Sequence, residues 1–260
     1  MNNYVYVALT HLIYKSIGSS NANTTILLWL SYTFSAYAHT VLKPYLLSQA
    51  HSGDVKRLDI VWDRYIINSL KQLTRKNRGQ GMRRRVTPIN SIPANWQSFL
   101  RNEENKTELF AFLSTQIEMI NTEGPELVST YYEDVVSSSN VDKLGLAPCN
   151  HEEADSRIIL HVAHGSRHGH TKILIRTVDS DVLVLAIAHF HMLALDELWV
   201  ALGVGKHFKY IPVHQVANQL GVESCKALPF FHALTGCDVV SSFVGIGKKK
   251  LLRHGRHTQM

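Results

Sequence analysis

In the second half of the chain, short apolar runs alternate with amphipathic stretches, and this narrows the possible folds more than any other feature. Glu126 to Thr130 reads as a strand, Glu152 to Ala163 as a helix with Ile158, Ile159 and Val162 on one face, and Lys172 to Thr177 as a strand. Val182 to His191 reads as a helix, Glu197 to Leu202 as a strand, and Val213 to Leu220 and Lys226 to Thr235 as helices. Such alternation is the pattern of a parallel sheet with crossover helices. The run Ile173-Leu174-Ile175 suits a strand buried on both faces. Upstream, Leu58 to Asp63 reads as a short buried strand ending in a carboxylate. Trp96 to Ile120 shows helical spacing (Phe99, Leu100, Leu109, Phe112, Leu113, Ile117), with Asn95 as its cap.

The first fifty residues differ from the rest. They hold no Asp or Glu, and consist of two apolar stretches, Tyr4 to Ile17 and Thr25 to Leu47, joined by the polar segment Gly18 to Asn23. The second is expected to be helical and to dock on the core; the first finds no place in the pattern. At 260 residues and 45% apolar content the chain can form one large α/β domain or two small ones. Its three cysteines are far apart with no CxxC pair, which excludes a disulfide framework or zinc ribbon and implies no disulfide-linked partner. No apolar run reaches the ~18 residues of a membrane span, and the N-terminus lacks a basic signal-like region, so the expected setting is intracellular and the expected partners exclude membranes. The net charge of +6 favours a polyanionic partner.

Carboxylates cluster at strand ends and helix starts: Asp63, Glu152-Glu153-Ala154-Asp155, Asp179-Ser180-Asp181 and Asp238. In an open parallel sheet the functional crevice lies outside the carboxyl ends of the strands, so Asp63 and Asp179 are expected to face the same crevice. Converging carboxylates repel one another unless a cation neutralises them, and hard oxygen ligands select Mg²⁺ or Mn²⁺ over zinc.

These acids sit in strings that carry a resemblance. GLAPCNHEEAD (145–155), TVDSDVL (177–183), LTGCD (234–238) and VGIGK (244–248), preceded by IVWD (60–63), resemble in order and spacing the motifs of the flap-endonuclease-like, PIN-like structure-specific 5′ nucleases over residues 55–252. The resemblance implies an α/β, PIN-like three-layer fold, with a central mainly parallel sheet flanked by helices and then the start of a helix-hairpin (H2TH-like) element. The implied domains are a divergent, partly helical N-terminal segment 1–54, a nuclease core 55–240 carrying a basic arch or helical insertion 64–125, and a helix-hairpin with basic tail 241–260. The implied metal ligands are Asp63, Glu153, Asp155, Asp179, Asp181 and Asp238, holding two Mg²⁺ or Mn²⁺ ions. Glu152 has no counterpart, and Asp155 stands where the family has the longer Glu. Lys71 and Arg78 match the basic helix that grips the scissile phosphate. The family also begins with a strand and helix that supply a further aspartate. This chain has no acid before Asp54, so that first strand is expected to be missing or replaced.

Between Arg64 and Arg85 the chain is strongly basic with no acid, and Arg75, Lys76, Arg83, Arg84 and Arg85 join Lys71 and Arg78 as candidate nucleic-acid contacts. Gly245, Gly247, Lys248, Lys249 and Lys250 have the chemistry of a turn whose backbone N–H groups meet a duplex phosphate. The bland alternatives are a solvated helix face and a solvated basic tail. Arg83-Arg84-Arg85 is a short match to a nuclear address. Fifteen histidines raise zinc, but His164, His168 and His170 have no Glu or Cys at zinc spacing, and His161, His189 and His232 fall on apolar helical faces as packed core residues. Gly203-Val204-Gly205-Lys206 lacks phosphate-loop spacing.

The expected function is therefore a magnesium-dependent phosphodiesterase (a hydrolase of ester bonds, if its metal site is complete) acting on branched or end-bearing DNA, or on RNA, in the nucleus. The alternative is a catalytically degenerate PIN-like nucleic-acid-binding module of mobile-element descent.

Overall fold

A computed structural model describes residues 4–9, 33–51, 53–66, 68–69, 81–120 and 124–235. Seven strands form one sheet: β1 Tyr4–Leu9, β2 Val55–Val61, β3 Glu126–Tyr131, β4 Asp134–Ser137, β5 Lys172–Thr177, β6 Glu197–Leu202 and β7 Lys209–Pro212. Their order is β4-β3-β2-β1-β5-β6-β7. The five inner strands pair in parallel, while β4 and β7 pair antiparallel to β3 and β6 and form the two edges. Neither edge strand was anticipated. Each is four residues long, and Asp134 in one and Lys209 and Pro212 in the other blunt the apolar signal, as is usual for edges.

The central strand is β1. Tyr4 to Leu9 runs beside Val55 to Val61 on one side and beside Lys172 to Arg176 on the other. This corrects the expectation that the first strand is missing. Its sequence, YVYVAL, is β-branched and aromatic, and Val5 and Val7 are fully buried. What the strand lacks is a carboxylate.

The sheet separates two apolar cores, as the three-layer expectation requires. On one face Leu58, Ile60, Trp62 and Leu127 pack against Phe34, Tyr37, Leu46, Phe99, Leu109 and Leu113. On the other, Val5, Val7, Ile173, Ile175 and Val200 pack against Ile158, Val162, Val182, Ala186 and Val213. β5 shows the division: Ile173 and Ile175 enter the second core while Leu174 packs on the first. Each fully buried side chain of this kind contributes roughly 1.5–3 kcal/mol.

The first face is covered by α1 (Phe34–Tyr37), a π-helical turn (Ala38–Leu42) and α2 (Lys43–Ala50), followed in the chain by α3 (Trp96–Arg101) and α4 (Glu103–Glu118). Thr33 caps α1 by accepting from Ala36 N at 3.1 Å. The helix expected over Trp96 to Ile120 is two helices. Asn102 is extended (φ −86°, ψ 124°) and caps α4 through Asn105 N at 3.1 Å, just as Asn95 caps α3 through Ser98 N at 2.9 Å. The second face carries α5 (Ala154–Arg167), α6 (Ser180–His189), α7 (Val213–Leu220) and α8 (Val222–Leu234), with Gly221 at φ 77° separating the last two. The helix-hairpin expected at 241–260 lies outside the described residues.

Candidate active site at the carboxyl edge of the sheet

From β1 the chain builds outward in two directions, through β2 and β3 on one side and through β5 and β6 on the other. Such a switch point opens a crevice at the carboxyl ends of the strands. Asp63 follows β2 by two residues and Asp179 follows β5 by two, so the two acids flank the carboxyl end of β1.

Each acid anchors its own arm. Asp63 Oδ1 accepts from the backbone N–H of Ala154, the first residue of α5, at 3.0 Å. That places the carboxylate on a helix N-terminus, where partial positive charge favours an anion. Glu153 occupies the cap position of α5 and Asp155 its first turn. The Glu152 carbonyl accepts from Arg64 N at 2.7 Å, and its Oε1 from Ser69 Oγ at 2.8 Å. Asp63 thus sits at the start of α5, where Glu153 and Asp155 flank Ala154 in the chain, and Glu152 ties the segment after β2 to that start. In the second arm Asp179 caps α6: its Oδ1 accepts from Asp181 N at 2.9 Å, while its own N–H donates to Thr177 Oγ1 at 2.9 Å. Asp181 Oδ1 lies 2.9 Å from Nε2 of His232 on α8. The sequence placed His232 on an apolar helical face; its position against Asp181 depends on α8 folding back onto α6, which no local pattern reveals.

The donor set has the chemistry of a Mg²⁺ or Mn²⁺ site, all carboxylate oxygens, but its spacing does not close around an ion. The arms are two strand spacings apart, ~10 Å between backbones, whereas hard cations need oxygens at ~2.0–2.6 Å. An acid on β1 would stand between the arms, and β1 has none. Among the described residues no three His, Cys, Asp or Glu side chains could hold one ion. The described residues therefore do not fit a complete metal centre. Asp238, Lys71, Arg75, Lys76, Arg78, Gly245, Gly247, Lys248, Lys249 and Lys250 lie outside them.

The described end of the basic run is neutralised from a distance in sequence. Arg83 pairs with Glu104, at 2.7 Å, and with Glu108, both on α4, and Arg85 lies 3.9 Å from Glu108. These contacts hold the Arg83 pKa above its usual value, the Glu108 hydrogen bond contributing most. Fully buried Asn105 fixes the segment further, accepting from Arg84 N at 2.9 Å and donating to the Met82 carbonyl at 2.8 Å. Arg85 remains 79% exposed, the most open side chain of this triplet toward solvent.

Behind the first arm a buried polar cluster locks α5 to β2. Arg57 Nε and Nη2 donate to the two Asp59 oxygens at 2.6 and 2.8 Å, His161 Nδ1 lies 2.7 Å from Asp59 Oδ2, and Arg57 Nη1 lies 2.8 Å from His164 Nδ1. Burial alone would raise the Asp59 pKa, but Arg57 and His161 overcome it and hold it at about 2. Burial, assisted by the Arg57 charge, depresses His164 to about 4. Neutral His164 then accepts from Arg57 and donates through Nε2 to the Asp142 carbonyl at 2.8 Å. His189 and His191 are engaged by the Leu185 and Ala217 carbonyls at 2.8 and 3.1 Å.

No protein-family model matches the sequence, and no curated protein matches it either. Among solved structures the chain is similar to the T5 D15 protein co-crystallized with metal ions, with a TM-score of 0.51 and 14% identity over 98% of this chain and 74% of that one. At that identity the likeness speaks to the fold alone, and the fold is a mixed α/β, PIN-like sheet flanked by helices, similar to that protein's.

Proposed function

We propose that this chain is a metal-dependent phosphodiesterase that cuts nucleic acid, with DNA flaps or ends as its substrate class and RNA as the variant to be compared. The observation that carries the reading is that two acidic arms, Asp63 with Glu153 and Asp155, and Asp179 with Asp181, flank the switch point of a PIN-like sheet. In this reading Asp238 would complete the carboxylate set, and the set would hold two Mg²⁺ or Mn²⁺ ions whose chemistry is charge neutralisation and activation of water. Lys71 and Arg78 steady the scissile phosphate, Arg75, Lys76 and Arg83 to Arg85 extend the basic track, and Gly245 to Lys250 hold the duplex. The protein to which the fold is similar was crystallised with metal ions, which agrees with this reading.

A second reading is favoured by one specific observation, the carboxylate-free β1 between the arms. A chain unable to close its metal site would keep the fold and bind nucleic acid without cutting it. Incubating the chain with labelled 5′-flap DNA in Mg²⁺, Mn²⁺ or EDTA, beside the Asp179→Ala/Asp181→Ala double variant, separates the two. Metal-dependent cleavage lost in the variant supports the nuclease. Salt-sensitive binding with no cleavage in any metal refutes it and leaves the binding module.

A further inference from the structure

A pocket of about 220 Å³, lined in part by Asp63 of the first arm, opens between α4 and the carboxyl ends of β2 and β3. Its walls include the aromatic rings of Trp62, Tyr65, Phe110 and Tyr132 and the guanidinium groups of Arg64 and Arg157. Drug-sized ligands fill ~300–1,000 Å³, so this space suits one flat heterocycle. Trp62 and Phe110 stack on each other at 4.7 Å and 15° and form a rigid floor.

The charge of the pocket is incomplete. Arg157 is 2% exposed, and among the described residues no carboxylate lies within ion-pair distance of it; its guanidinium donates instead to the carbonyls of Tyr132 at 2.6 Å and Asp134 at 3.3 Å. Arg64 pairs with Glu133 through Nη2, but its buried Nη1 has no hydrogen-bond partner among the described residues. Arg157 is buried with the like charge of Arg64 nearby, so an anion between them would offset both charges. A phosphate matches two guanidinium forks.

The pocket also carries strain. Tyr132 stands in the turn between β3 and β4 at φ 51°, a left-handed conformation that a bulky side chain adopts only at a cost, and it is nonetheless 49% exposed. Arg157 holds its carbonyl in that position. The Tyr132 ring packs edge-on against Tyr131 at 4.9 Å and leaves about half of the residue open beside the pocket.

We propose that this pocket binds one unpaired nucleotide of a nucleic-acid strand, its base stacking on the Tyr132 ring and its phosphate meeting Arg64 and Arg157. The proposal deepens the nucleic-acid reading above, on which it rests for the identity of the strand, and it makes single-stranded ends the part of the substrate that is recognised. Stacking on aromatic side chains is sequence-tolerant, so purines and pyrimidines are both accepted.

The test is fluorescence-polarisation binding in EDTA, where no cutting occurs, of a 5′-phosphorylated single-stranded oligothymidylate and of copies with one abasic residue moved along it. The proteins are the wild type and Tyr132→Gly. Glycine tolerates the left-handed backbone, so this variant loses the ring while its urea midpoint holds or rises. We expect Tyr132→Gly to weaken binding about 10-fold, and one abasic position to weaken the wild type equally and the variant not at all. Independent, additive effects, no effect of the ring, or no binding by the wild type overturns the pocket. Flap cleavage without this coupling refutes the pocket and leaves the nuclease; coupling without cleavage does the reverse.

Discussion

Replacing Asp59 by Asn should be among the most damaging single changes in the second core. The substitution keeps the shape of the side chain and removes its charge, leaving the Arg57 guanidinium, 2% exposed, with the more distant Glu126 carboxylate at 3.8 Å in place of its close partner. Two hydrogen bonds from Arg57 and one from His161 are made to this carboxylate. Breaking a buried pair by removing one partner typically costs about 3–5 kcal/mol, against a total of about 5–15 kcal/mol for a folded domain. The acid limb of stability gives a second, independent magnitude. With a folded pKa of about 2 and an unfolded one of ~3.9, Asp59 contributes roughly 2–3 kcal/mol. Because the folded value is depressed, this contribution is complete above the unfolded pKa and is lost as the pH falls through 4 toward 2. Urea denaturation at neutral pH and at steps down to pH 2.5 measures both. The double variant Arg57→Met/Asp59→Leu, which removes both charges, should recover a large part of the loss. A cost below about 1 kcal/mol for Asp59→Asn, or an acid limb unchanged by it, would refute the claim that this pair locks α5 to β2.

Three further outcomes follow from the same geometry. His164, depressed to about 4, contributes stability present above its unfolded pKa of ~6.5 and lost as the pH falls from there toward 4; His164→Gln should flatten that part of the urea-midpoint profile. Asn105→Ala leaves Arg84 N–H and the Met82 carbonyl without their partner, and should cost about 2–3 kcal/mol while opening residues 82–86 to limited proteolysis. Deleting residues 1–9 removes the strand that joins β2 to β5, and should abolish cooperative unfolding and amide protection in Ile173 to Thr177; a cooperative transition in the truncated chain would mean that β1 is not central.

The sequence made the parallel half of this fold legible where strands were short, apolar and bounded. Lys172 to Thr177 and Glu197 to Leu202 were read at the bounds they occupy. β1 was missed because YVYVAL shows no alternation of apolar and polar residues, and Tyr4 to Leu9 sits inside a longer apolar stretch. Its partners, β2 and β5, are about 50 and 170 residues away, so only three-dimensional pairing reveals its place. In the site, the positions of Asp63 and Asp179 after their strands could be read from local pattern. The Asp63 bond to Ala154, the Asp181 contact with His232 and the neutralisation of Arg83 by α4 could not, since each joins elements distant in sequence. Arg157, without a carboxylate partner among the described residues, has no sequence signal at all: one arginine in the first turns of a helix is ordinary until its burial is seen.

The measurement closest to the central claim is single-turnover cleavage of a 5′-flap DNA in Mn²⁺ by Asp63→Asn and Asp179→Asn separately, each compared with wild type for binding of the same DNA in EDTA. If the two arms serve one site, each variant loses at least ~100-fold in cleavage rate, about 2.7 kcal/mol of barrier, while binding stays within a few-fold of wild type. If either variant cuts as fast as wild type, or the wild type binds the flap and never cuts it, the two acidic arms are not an active site.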